Sequence, residues 1–224
     1  MKKTGIGIKI IGACVLLLLV VYAGGCYYYG NHFLRGTLID QVDVSNLTIQ
    51  DLEDRVDAYS LRIQERKSDG GSYEESIDGK TIGLTYASTE PLQQIMRTQN
   101  RYLWFVPQHA EHETDSIVSY DMQKLKTAVQ ALKGFEADFA QAPTDAHISE
   151  YTPETGFSIV AETQGNELDQ TKTLEVISTA VEGLKDLVDL DAEGCYKTPT
   201  VTAGSEELQN TLSKLQKYGA VTIT

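Results

Sequence analysis

Ile10-Ile11-Gly12-Ala13-Cys14-Val15-Leu16-Leu17-Leu18-Leu19-Val20-Val21-Tyr22-Ala23-Gly24-Gly25-Cys26-Tyr27-Tyr28-Tyr29 is a run without a single charge. At about 1.5 Å per residue, a helix of this length covers the roughly 30 Å hydrocarbon layer of a bilayer. A helix suits that setting because it satisfies its own backbone groups where no water can. Lys2, Lys3 and Lys9 precede the run, and the first charges after it are Arg35 and Asp40. Positive charge stays on the cytoplasmic side. The reading therefore makes residues 1–9 a cytoplasmic tail, 10–29 a single transmembrane helix, and the remainder an extracytoplasmic part of a cell-membrane protein. Tyr22 and Tyr27 to Tyr29 fit the outer interface, with rings in apolar surroundings and hydroxyls in water.

Two other readings share this topology. A cleaved signal peptide also has a basic start and an apolar middle, but three tyrosines make a poor small-residue exit. Ala23-Gly24-Gly25-Cys26 places small residues ahead of a cysteine, as a lipid-anchor signal does. Ala23 stands where such boxes usually carry Leu or Val, and the apolar run continues past Cys26. All three readings put the rest of the chain outside the cytoplasm.

The chain has 224 residues, which leaves enough beyond the helix for one sizeable domain or two small ones. Hydrophobic content of 41% and charged content of 23% are those of a folded protein. The three lysines of the tail carry +3 of a formal net charge of -13, so the external part carries -16. A surface of that sign repels phosphate backbones and anionic lipid headgroups, which argues against nucleic acid as a partner. Cys14 and Cys26 belong to the apolar run, so Cys195 is alone outside it and can form no intradomain disulfide. Its plainest reading is a small buried residue.

Along the chain, residues 30–60 read as a juxtamembrane lead-in: a strand over Thr37–Val44, then a helix capped by Thr48 with Asp51 three residues on. Residues 61–204 read as one mixed domain. Leu61–Arg66 and Tyr73–Ile77 form a hairpin, and Thr81–Tyr86 a strand. A helix opens at Ser88–Pro91 and carries Leu92, Ile95, Met96 and Leu103. Pro107–Thr114 is a polar loop, Asp115–Tyr120 a strand, and Asp121 caps a helix with Leu125, Val129 and Leu132. Ala146–Tyr151 and Phe157–Ala161 make a second hairpin. The best-marked helix follows Gly165–Asp169, and Leu187–Leu190 is a strand. Residues 205–224 add a helix capped by Ser205 and an opening strand, Val221–Thr224, leading toward a missing downstream module. The fold class is α+β.

A search for catalysis returns nothing. No glycine-rich phosphate loop, nucleophile elbow or cysteine–histidine spacing occurs. His109-Ala110-Glu111-His112 sets its imidazoles three apart, whereas metal-binding helices want four. Asp186, Asp189, Asp191 and Glu193 lack the offsets of a calcium loop. No cofactor or metal is expected. Tyr102 and Trp104, beside Phe105, are the candidate sugar-stacking residues, since flat rings suit sugar faces; the competing reading is core.

Phe33-Leu34-Arg35-Gly36-Thr37-Leu38-Ile39, then Val42-Asp43-Val44-Ser45 and Leu47-Thr48, resembles the segment just outside the anchor of membrane-bound Gram-positive L,D-transpeptidases. The pattern there is Phe-x-Pro-Gly-Thr-x-Ile-Asn-Gly-x-Asp-x-Ser-Gly, with Arg35, Asp40-Gln41 and Asn46 departing from it at turn positions. Pro143-x-Asp145-Ala146-x-Ile148 and Gly156-Phe157-x-Ile159-x-x-Glu162-x-x-Gly165-x-x-Leu168-Asp169 resemble that family's peptidoglycan-binding domain, found also in vancomycin-resistance W-like proteins. Tyr196-x-x-Pro199-x-Val201-Thr202 resembles the extended segment after it. The resemblance implies a membrane-anchored module that binds or positions cell-wall peptidoglycan. The family's Ser-His-Gly-Cys signature is missing, which implies a non-enzymatic chain whose transpeptidase lies downstream or on a separate protein. The alternative is an envelope scaffold or spacer that binds another protein rather than the wall.

Overall fold

In the computed structural model, which describes residues 3–114 and 116–219, the apolar run forms one continuous helix, α1 (Lys3–Tyr28). Its segment Lys9–Tyr28 is long and apolar enough to cross a membrane, and it is exposed from Lys9 to Gly24. Tyr29, expected on the helix with a wet hydroxyl, instead begins the folded body. It is 6% exposed, and its Oη donates to Asn46 Oδ1 at 2.7 Å. Gln99 clamps this exit by donating Nε2 to the carbonyls of Tyr29 (2.9 Å) and His32 (2.7 Å) while its Oε1 accepts from Leu34 N (3.0 Å). Helix ends leave carbonyls unpaired, and one amide side chain answers that need here.

The expected strand over 37–44 is a tight hairpin, β1 (Leu38–Ile39) against β2 (Val42–Asp43), antiparallel. Asp40 and Gln41 turn it with φ of 48° and 67°, the left-handed pair that a two-residue hairpin requires. Helix α2 (Ile49–Asp57) follows with the reciprocal Thr48–Asp51 capping box in place, burying Leu52 and Val56. Strands β3 (Ser60–Arg66) and β4 (Ser72–Asp78) are neighbours joined by a turn in which Lys67 N donates to Gly71 O at 2.7 Å. Parallel pairing would need a far longer crossover, so this is a hairpin. Only β5 (Thr85–Tyr86) is extended within the expected strand 81–86, because Thr81 and Gly83 donate back into turns.

Helix α3 (Glu90–Thr98) has Pro91 in its first turn and buries Leu92. Leu103, expected on its face, belongs to a separate 3-10 turn, Arg101–Leu103, since the backbone is extended at Gln99. The expected loop 107–114 contains a two-residue strand, β6 (Glu111–His112), parallel to β1. Strand β7 (Val118–Ser119) pairs antiparallel with β5. Helix α4 (Met122–Gln130) is followed by a 3-10 turn, Lys133–Phe135. Strands β8 (His147–Ile148) and β9 (Ile159–Val160) form the second hairpin. Helix α5 (Gln170–Glu182), strand β10 (Leu187–Asp189, parallel to β3) and helix α6 (Glu206–Gly219) complete the chain. The expected strand Val221–Thr224, Lys2 of the tail and Asp115 lie outside the described residues.

The described residues thus form an α+β protein with six α-helices and small sheets. The chain divides into two compact units. The first takes the chain up to Ser60, Asp78–Met122 and Val181–Lys185. Its interior includes Phe33, Ile39, Leu52, Ile82 and Leu92, each at most 1% exposed. The second takes Leu61–Ile77, Gln123–Ala180 and the chain from Asp186 on. Its interior includes Leu61, Ile63, Leu125, Leu168, Ile177 and Leu190.

Candidate functional site

In the second unit, the residues that carried the sequence pattern hold one extended strap, residues 196–203, in place. The exposed Asp145 carboxylate accepts from the backbone N–H groups of Thr200 (2.6 Å) and Val201 (3.0 Å). These hydrogen bonds favour the charged form and lower its pKa. Glu162 Oε2 accepts from Ala203 N at 2.8 Å, Ala146 N donates to Val201 O, and Leu168 bridges Tyr196. Lys197 N donates to Glu167 O, and the Lys197 ammonium pairs with the Glu167 carboxylate. Gly165 stands at φ 65°, where an added Cβ would lie 2.3 Å from Gln141 O. Only glycine fits that backbone and that approach. Asp169 Oδ1 then accepts from Lys172 N at 2.9 Å, opening α5. The Asp145, Glu162 and Asp169 carboxylates accept from backbone donors, and that of Glu167 pairs with Lys197.

Cys195 is fully buried beside this strap. Desolvation, which disfavours the thiolate, pushes its thiol up to about 11. That is the opposite of an activated nucleophile.

The same unit buries an ionisable group that the sequence reading passes over. Glu65 is 1% exposed; its Oε2 accepts from Tyr73 Oη at 2.6 Å and from Gly134 N at 3.0 Å. Its Oε1 has no partner among the described residues. Burial raises its pKa to about 7 against the pull of the Tyr73 hydrogen bond, and the nearby Glu75 carboxylate adds to the rise. Burial and Glu65 together push the Tyr73 hydroxyl far up, so it remains a donor. The signal for Glu65 was available: strict alternation puts it on the same face as Leu61 and Ile63.

In the first unit, Tyr102 and Trp104 lie against the end of α1. Trp104 seats its ring on Gly25, where an added Cβ would fall 2.1 Å from Cε2, and stacks with Tyr29 at 6.1 Å. Phe105 meets Trp104 edge-on at 6.0 Å and Tyr22 at 6.4 Å. Tyr22 Oη donates to the Tyr102 carbonyl at 3.2 Å. Tyr102 and Phe105 are 56% and 59% exposed, so these two rings are surface rather than core. Beside them a cleft of about 530 Å³ is lined by Tyr29, Gly30, Arg97, Gln99, Arg101 and Tyr102, among others. His109 and His112 gather no metal-ligating group, and none of three or more such side chains occurs among the described residues.

No protein-family model, characterised protein or solved structure matches this chain.

Proposed function

We propose that this chain is a single-pass, membrane-anchored module that binds or positions peptidoglycan, akin to the non-catalytic part of an L,D-transpeptidase. The N-terminus is cytoplasmic and the folded body faces the wall. One observation carries the reading. Gly36, Asp40, Gln41 and Asn46 hold φ of 82°, 48°, 67° and 62°. These are the four positions at which the family pattern has Gly, Asn, Gly and Gly, the residues that tolerate left-handed backbone best. Phe33, Thr37 and Ile39 of the same pattern are at most 3% exposed, and Ser45 links the turns by accepting from Gly36 N at 2.9 Å. Left-handed backbone at these four positions supports the reading. The strap held by Asp145, Glu162 and Leu168 supports the same reading for the second unit. The buried, high-pKa Cys195 supports a non-enzymatic role.

The test is co-sedimentation of the detergent-solubilised full chain with purified peptidoglycan. Retention is expected to survive moderate salt, because a net -16 exterior gains little from charge attraction. Sedimentation no better than that of an unrelated acidic membrane protein would favour the spacer role. Protease added to wall-stripped cells should digest the body; its protection would reverse the orientation.

A further inference from the structure

We propose that the segment Arg101–Val106 is a second membrane contact, entering the leaflet at the C-terminal end of α1 beside the spanning helix. This rests on the reading of α1 as a membrane span. Tyr102, Leu103, Phe105 and Val106 are consecutive neighbours around Trp104, and each is more than 40% exposed. Exposed apolar groups gathered in one place mark an interaction surface. Their position along α1 selects the partner. The segment touches the helix at Tyr22 and Gly25, about 10 Å before the chain leaves the helix at Tyr29 at the usual rise per residue.

If Lys9 sits at one face of a roughly 30 Å hydrocarbon layer, the other face falls near Tyr29. The segment then lies within the outermost 10 Å or so of apolar material, the depth at which interfacial segments seat their apolar side. Holding it in water instead would leave only Lys9 to Val21 to span the membrane, about 20 Å of helix. Sliding the helix to compensate would draw the Lys9 ammonium into hydrocarbon, where charge is expensive. The hydrogen bond from Tyr22 Oη to the Tyr102 carbonyl suits the inserted state, because it pairs two polar groups that lipid could not.

The flanking charges have the matching sign. Arg97 and Arg101 line the cleft beside Tyr29, and among the described residues neither forms an ion pair with a carboxylate. The Arg101 guanidinium lies against Gly30, its Nη1 3.1 Å from where a Cβ would stand. These two guanidiniums, without a carboxylate partner and with that of Arg101 5.5 Å from the centre of the Tyr102 ring, are placed at the rim of the apolar segment to take the phosphodiesters of lipid headgroups. On a body of net charge -16 they put positive charge on the side that meets the membrane.

The experiment uses the full chain, with Cys14 and Cys26 replaced by alanine, in vesicles of mixed phosphatidylcholine and phosphatidylglycerol. Nitroxides are placed singly through Leu18→Cys, Leu103→Cys, Phe105→Cys and Tyr151→Cys. Collision with oxygen is compared with collision with a water-soluble nickel chelate. The Leu103 and Phe105 labels should favour oxygen several-fold over the Tyr151 label, and the Leu18 label should favour it most. A Phe105 label as aqueous as the Tyr151 label, with Leu18 still in lipid, would overturn the second contact and leave the anchor standing. An aqueous Leu18 label would overturn the anchor itself. Arg97→Gln with Arg101→Gln should shift the Leu103 and Phe105 labels toward water in these vesicles. No shift would remove the arginines from the contact. The sole tryptophan, Trp104, gives a label-free check: lipids brominated high on the acyl chain should quench it, and acrylamide should not.

Discussion

Replacing Glu65 by glutamine should remove a pH dependence of stability that the wild-type chain displays between about pH 4.5 and 7. The carboxyl is 1% exposed, and burial lifts its pKa from 4.5 to about 7 in the folded state. The folded state therefore holds this proton more tightly than the unfolded chain does. Below 4.5 both states are protonated, and the group leaves stability unchanged. As pH rises the unfolded chain ionises first, so folding loses ground until the folded carboxyl ionises too, near 7. Above that the loss is constant. A shift of this size corresponds to roughly 3 kcal/mol, a large share of the stability of an ordinary domain.

Cys195 supplies a local probe, because it is fully buried in the same unit and has a free thiol. Maleimide labelling of Cys195, read by peptide mass across a urea series in detergent, gives the unfolding of that unit at each pH. Groups common to both chains, Asp145 among them, cancel in the comparison, and the wild type should fall relative to Glu65→Gln by about 3 kcal/mol from pH 4.5 to pH 8. The glutamine carries its own constant cost, since its amide inherits the unpaired Oε1 position. The slope of the difference is therefore the measurement, not its absolute value. Tyr73→Phe removes a hydrogen bond that favours the charged carboxylate, and should carry the wild-type window to higher pH. A wild-type-minus-glutamine difference that stays level from pH 4.5 to 8 would refute the reasoning, because Glu65 would then ionise as it does in water.

Two further outcomes are expected. Asp145→Ala should speed amide exchange at Thr200 and Val201 several-fold while leaving α5 protected, as followed by exchange mass spectrometry; unchanged rates would mean the strap is held from elsewhere. Iodoacetamide at pH 8 should leave Cys195 unmodified in the folded chain and alkylate it in urea, and rapid reaction in the folded chain would contradict the burial that raises its pKa to about 11.

The helices were legible because each repeats apolar residues over several turns, and Thr48 with Asp51 states a start in its own right. The hairpin of β3 and β4 was legible from alternation and from Gly70-Gly71. The two-residue strand β6 was not. β6 reaches its partner β1 across some seventy residues of chain, and a register of two residues leaves no periodicity to read. Its pairing depends on where α3 and the turn after it deliver the chain, which local composition does not encode. The break between α3 and Arg101–Leu103 was hidden for a related reason. Gln99 reads as an ordinary helix former, yet its side chain is committed to three backbone groups around the exit of α1, and the backbone opens to let it reach them.

Gln99 also explains why the aromatic candidates were hard to place from sequence. Tyr102 and Trp104 follow a helix, and rings in that position usually fill a core. Here the residue that ends the helix is tied to Tyr29 and His32, so the next turn is delivered onto α1 instead. Gly25 opens a notch in α1 that a side chain of any size would close, and Trp104 occupies it. The rings that follow have nowhere to turn but outward, along the most apolar surface the chain possesses. A glycine within the apolar helix α1 and a glutamine seventy residues later thus decide together whether an aromatic run is core or surface. Substituting Gln99 should therefore unseat Trp104 although the two need share no contact, and the emission of that single tryptophan would record the change.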